Sequence, residues 1–155
     1  DQVGPMKDVW QKYQSIHKNY VGNNKPIIIK VSPHNFYESN PLIEELQEVF
    51  KECQEEDWDG YGASPLSLST YYEAVRLISL LPSFTNNPEI VPEPNGDIAF
   101  EWYRGKHLTF VISVRGENKI TYAGIFGKSN MTHGVEYFPN EIPPIILNYI
   151  KRLYC

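Results

Sequence analysis

Cysteine is nearly missing from this chain. Cys53 and Cys155 are the only two in 155 residues. Neither a disulfide framework nor a zinc pattern can be built from them, which fits a reducing cytoplasm. No apolar run approaches the roughly 20 residues needed to span a bilayer, and no signal-peptide layout is visible, so no membrane partner is expected. Positive charge is also short. There are 14 Lys and Arg against 19 Asp and Glu, a formal net charge of -5. The bases are scattered rather than striped, which disfavours direct nucleic-acid binding and with it a nuclease-type toxin. A glycine-rich phosphate loop, a serine elbow and a metal-ligand cluster are all missing. The four histidines, His17, His34, His107 and His133, never fall at i, i+4. No catalytic, cofactor-binding or metal-binding residue is therefore assigned, and the balance leans away from an enzyme.

What the chain does have is apolar residues at 41 % and charged residues at 21 %, the mix of a globular domain. It also has eleven Tyr, seven Phe and three Trp, and so much tyrosine suits half-exposed, partner-binding surface as well as core. Asp1 to Pro5 reads as an expression scar, with the native chain starting at Met6. Residues 6–155 then form one domain. Its variable N-terminal part, 6–40, holds a helix over Lys7 to Asn19, an extended run at Ile27 to Val31 and a loop from Ser32.

Pro41 to about Asp57 is an acidic helix with Asn40 as N-cap and Pro41 at the first position. Leu42, Leu46, Val49, Phe50 and Cys53 make its apolar face. Glu48, Glu52 and Glu55 lie on the rest, either as a solvated face or as a surface for a basic partner. A second helix, capped by Ser67 or Ser69, runs to about Leu81 and completes a helical pair over 41–82. From residue 89 the period changes from 3.6 to 2. Ile98 to Tyr103, His107 to Val114 and Lys119 to Phe126 alternate and are separated by short glycine turns, a meander over 89–139. Glu89 to Val91 and Val135 to Phe138 are short additions, with a polar loop at Gly127 to Gly134. Ile142 to Leu153 has helical spacing, with Asn140 as its cap, so 140–155 is a C-terminal helix on one sheet face. The order defines an α+β fold around an antiparallel three- to four-stranded meander.

The helical pair is joined by Glu55 to Pro65, EEDWDGYGASP. Asp57-Trp58-Asp59-Gly60 looks like the start of a calcium loop, but the later ligand positions read Tyr61, Gly62, Ala63 and Pro65, so the pattern fails. A turn with glycine at positive φ, Trp58 on the core and Asp59 bonded to loop amides explains it better. Asp57, Trp58, Asp59, Gly60 and Tyr61 stay a candidate binding loop. Glu101, Tyr103 and Arg115 are a second candidate, as a small-ligand site or as an ordinary solvated sheet face.

WDGYGASP at Trp58 to Pro65, PEPNGDIAFEW at Pro92 to Trp102, ITYAGIFG at Ile120 to Gly127 and EIPPIILNYI at Glu141 to Ile150 occur in that order. The chain from Trp58 onward thereby resembles a group of small uncharacterised bacterial proteins with a W-[DN]-G-Y-G-A box, a P-x-P-[DN]-G…E-W strand and a C-terminal I-P-x-x-I helix. The resemblance implies a bacterial cytoplasmic protein encoded in a mobile or defence-type cluster, and it supplies no catalytic residues.

Two functions follow as expectations. The first is a non-enzymatic protein-interaction module, such as an antitoxin, immunity or accessory subunit of a toxin–antitoxin or antiviral defence system. Its partner would be another protein, for which the acidic helix favours a basic surface, and the open edges of the meander leave a homodimer available. The alternative is a small-molecule or nucleotide binder, enzymatic or not. It requires Trp58, Asp59, Tyr61, Glu101 and Tyr103 to line one concave pocket.

Overall fold

The computed structural model describes residues 40–155. The expected scar at 1–5, the Lys7 to Asn19 helix, the Ile27 to Val31 run and the loop from Ser32 lie outside the described residues.

Helix α1 is Pro41–Glu52. Pro41 has no N–H to leave unpaired, and the Asn40 carboxamide oxygen accepts from the Leu42 amide at 3.0 Å. The helix stops at Glu52 and does not reach Asp57. The Cys53 amide bonds back to the Phe50 carbonyl, and the Cys53 carbonyl accepts from the Leu66 amide at 2.9 Å. Asp57 adopts a left-handed φ of 61° that no helix continues through. Glu55 and Glu56 thus leave the helix, and Lys51 in its last turn favours the dipole.

Helix α2 is Leu68–Leu80, with the Ser67 hydroxyl accepting from the Thr70 amide. It buries Thr70, Tyr71, Glu73, Ala74, Leu77 and Ile78. It ends because Leu81 precedes a proline and takes an extended conformation (φ -64°, ψ 126°).

Five strands follow: β1 (Glu89–Pro92), β2 (Ile98–Gly105), β3 (Leu108–Val114), β4 (Lys119–Phe126) and β5 (Met131–Tyr137). They pair in chain order, all antiparallel. Both short additions, Glu89 to Val91 and Val135 to Phe138, belong to the sheet, which therefore has five strands where three to four were expected. The expected loop at Gly127 to Gly134 shrinks to a turn closed by the Phe126 amide on the Asn130 carbonyl, and β5 starts at Met131. Its alternation runs between half-buried Thr132, Gly134 and Glu136 and exposed Met131, His133, Val135 and Tyr137. A solvated edge strand needs no face in the core, so periodicity does not extend it back from Val135 to Met131.

The other face of the sheet is apolar. Ile98, Phe100, Trp102, Phe110, Ile112, Val114 and Ile120 are buried against the helices. Each such side chain contributes on the order of 1.5–3 kcal/mol. The Trp102 indole N–H donates to the Asn86 carbonyl at 2.7 Å, so the largest core ring leaves no polar atom unpaired.

Helix α3 is Pro144–Leu153, two residues shorter at its start than expected. Ile142 and Pro143 each precede a proline, and Pro143 is extended (φ -54°, ψ 137°), so neither Ile142 nor Asn140 opens the helix. Ile146, Ile150 and Leu153 pack onto β2, β3 and β4. Tyr149 stacks on Phe126 and meets Phe110 and Tyr122 at a tilt, with ring centroids 5.4–5.6 Å apart. Helices α1 and α2 cover the rest of that face, α1 against β1 and α2 against β2 and β3. The fold is α+β, and among the described residues three helices lie on one side of a five-stranded antiparallel sheet.

The β3–β4 turn, Arg115 to Asn118, locks the layers together. Gly116 has φ +82°, and a Cβ there would lie 2.8 Å from the Ser69 hydroxyl and 3.0 Å from the Thr70 nitrogen. Glu73 reaches out of α2 into the same turn, and one carboxylate oxygen accepts from the Asn118 amide at 3.2 Å. One turn further along α2, Arg76 donates to the Phe138 carbonyl at 2.7 Å and the Asn118 side chain at 2.9 Å, with its guanidinium over the Phe138 ring.

Candidate interaction surface

The loop between α1 and α2 is stiffened from within. The Asp57 carboxylate accepts from the Gly62 amide, and the Asp57 amide donates to the Ala63 carbonyl at 2.8 Å. One Asp59 oxygen accepts from both the Tyr61 amide (2.8 Å) and the Ala63 amide (3.0 Å). The Trp58 indole N–H donates to the Ser64 carbonyl at 2.7 Å, and its ring packs on the core. The Ser64 amide then donates to Pro94 in the β1–β2 turn, pinning the loop to the sheet. Gly60 and Gly62 sit at φ +78° and +87°. Both acids are thus occupied with backbone amides, as a turn requires.

Between the two glycines stands Tyr61, 93 % exposed. A tyrosine so exposed gains nothing from the core, yet the loop holds its backbone fixed. Just before it come Glu52, Glu55 and Glu56, all exposed, and Glu48 is exposed one helical turn earlier. Glu48, Glu52 and Glu55 are thus all solvent-exposed acids in the segment that precedes the tyrosine.

The sheet-face candidates are arranged differently. Glu101 and Tyr103 alternate with buried Trp102, so they lie on the face away from the helices. Glu101 stands opposite Glu89 in the register. Arg115 is in the β3–β4 turn, paired in bidentate fashion with Asp97 at 2.9 and 3.1 Å. The bond to Asp97 and its charge hold the guanidinium still more firmly protonated than usual. Asp97 also accepts from the side-chain amide of Asn95, which in turn accepts from the Asp97 amide. Arg115 is thus committed to a turn. The five residues of the expected ligand pocket do not converge either: Trp58 packs on the helix side of the sheet, and Glu101 and Tyr103 lie on the other. A cavity of about 130 Å³ near the C-terminus is lined by Phe84, Asn86, Ile150 and Tyr154 among others, and by none of the candidate residues.

Cys53 is buried, and burial followed by the Glu52 charge pushes its thiol up, which makes it a poor nucleophile. No group of three or more His, Cys, Asp and Glu among the described residues is placed to hold a metal ion. No helix among them is long and apolar enough to cross a membrane.

Glu73 is the polar residue that sequence reasoning missed. It sits inside the apolar run of α2, and its partner in the β3–β4 turn is 45 residues away. Its second oxygen is buried and unpaired. Burial raises its pKa above the ordinary carboxylate value, against the opposing pull of the turn amides and Arg76. A Glu amid Tyr71, Tyr72 and Ala74 was the available signal. No protein-family model, curated protein or solved structure matches this chain.

Proposed function

We propose that this chain is a non-enzymatic protein-interaction module that binds a partner through the Tyr61 loop and its acidic flank. The observation that carries this reading is Tyr61 itself: a nearly fully exposed aromatic on a loop whose backbone is already hydrogen-bonded into shape. Interfaces concentrate their energy in a few aromatic anchors, and a loop backbone that is ordered before binding loses less entropy on binding. Glu48, Glu52 and Glu55 add charge that steers a basic partner. The partner surface that fits is basic, with a concavity for one phenol ring and a polar group for its hydroxyl. An antitoxin, immunity or accessory subunit of a bacterial defence system, acting in the cytoplasm, is the cellular role consistent with such a surface.

The test is affinity capture by the tagged chain from extracts of its own host, beside Tyr61→Ala and a Glu48/Glu52/Glu55→Lys triple variant. A stoichiometric basic protein held by the wild type and lost by both variants supports the reading. Loss of a full anchor weakens binding by at least ~30-fold, the equivalent of about 2 kcal/mol. A partner that both variants retain in full would sink it.

A further inference from the structure

We propose that β5 is a dimerisation edge, on which a second copy of this chain adds its own β5 antiparallel to form a continuous ten-stranded sheet. The inference goes beyond the Tyr61 reading and does not depend on it.

The two edges of the sheet are built differently. β1 is four residues long, ends in Pro92, follows Pro88 and is packed by α1. Those are the usual protections of an edge. β5 has seven residues and contains no proline or lysine, and its register with β4 is unbroken by a bulge. Its exposed side chains are apolar or aromatic at three of four positions: Met131 is 73 %, Val135 60 % and Tyr137 65 % exposed.

The hydrogen-bond phase gives the geometry. The Phe126 amide bonds to Asn130 and the Phe138 amide to Asn118. With Tyr122 opposite Gly134 in the register, the bonded pairs of β4 and β5 recur at Thr132, Gly134 and Glu136. The amides and carbonyls of Met131, His133, Val135 and Tyr137 therefore point outward. A two-fold axis at Gly134 sets Met131 opposite Tyr137 of the second copy and His133 opposite Val135. This register engages all four outward residues of each strand; shifting the axis to His133 or Val135 drops one of them. It also places no like charges opposite each other, since Glu136 meets Thr132. An edge of this length lies at the small end of specific interfaces, below ~1,200 Å² in total, so the dimer is reversible and concentration-dependent.

Sedimentation equilibrium of the full chain from about 1 to 100 µM, the range of weak complexes, tests the proposal. The expected result is a mass that rises from 17.9 kDa toward twice that value. His133→Pro removes an outward N–H, leaves the β4 ladder intact and should hold the protein at single-chain mass. Val135→Lys, which changes no backbone group, should do the same, and circular dichroism reports whether each variant is folded. A single-chain mass for the wild type throughout overturns the proposal, as does a dimer that persists in both folded variants. Exchange of the outward amides of Met131, His133, Val135 and Tyr137 that is slow at 1 µM, independent of concentration, also overturns it, because the edge is then covered within one chain. None of these outcomes bears on Tyr61, whose variant is scored by partner capture.

Discussion

Gly116→Ala should destabilise this protein far more than Gly60→Ala, although both glycines have nearly the same left-handed backbone (φ +82° and +78°). Placing a Cβ on such a residue costs about 1–2 kcal/mol at either position. Alanine also narrows the unfolded ensemble equally in both variants, so that effect cancels in the comparison. The difference lies in the surroundings. Nothing lies within 4 Å of a Cβ at Gly60, whereas at Gly116 it meets the Ser69 hydroxyl at 2.8 Å and backbone atoms of Ser69 and Thr70 at 3.0 Å. The hydroxyl can rotate away, but the backbone belongs to the first turn of α2 and cannot move without disturbing the Ser67 cap. Overpacking of this kind costs about 1–3 kcal/mol. Gly116→Ala should therefore lose that much more stability than Gly60→Ala in urea denaturation. In thermal melts the extra loss should be about 2–4 °C per kcal/mol for a chain of this size. Equal losses, within about 0.5 kcal/mol, would refute the claim that the β3–β4 turn is pressed against α2.

Glu73 should give stability an unusual pH dependence. Its folded pKa is raised by burial, so the folded state binds that proton more tightly than the unfolded one. Its stabilising contribution is then full below the ordinary Glu value of about 4.3 and is lost as pH rises through the raised value. Glu73→Gln, which keeps an oxygen for the Asn118 amide and carries no charge, should gain on the wild type in urea midpoint between pH 4 and 7. Parallel pH profiles would contradict this account. Asp59→Ala removes the acceptor for the Tyr61 and Ala63 amides and should weaken capture of the partner, with Tyr61 intact, because ordering the loop then falls on the binding step. Its affinity should return partway in Asp59→Asn, which still accepts through one oxygen; if Asp59→Ala captures as well as the wild type, the loop is not a prearranged anchor.

Local chemistry makes much of this protein legible from its residues alone. Asn40-Pro41 and Ser67 start α1 and α2 because a cap involves only the first helical turn. Strands β2, β3 and β4 follow from strict alternation, since each has one face in the core. The Asp57–Pro65 loop reads as a turn because Gly60, Gly62 and Asp59 act on neighbours a few residues away. The tertiary structure decided what depends on distant partners. Glu73 and Arg76 look like interruptions of an apolar helix until the turn at Asn118 arrives beneath them. Arg115 looks available until Asp97 claims it. β5 begins four residues earlier than its β-branched and aromatic residues suggest, because β4 supplies its hydrogen bonds. The exposure of Tyr61, and the contrast between a β1 edge packed by α1 and a β5 edge that no other described strand pairs, exist only once the sheet and helices have assembled. Sequence determines hydrogen bonds and periodicities within a turn or a strand. Which surfaces remain free is a property of everything that packs, and no local pattern encodes it.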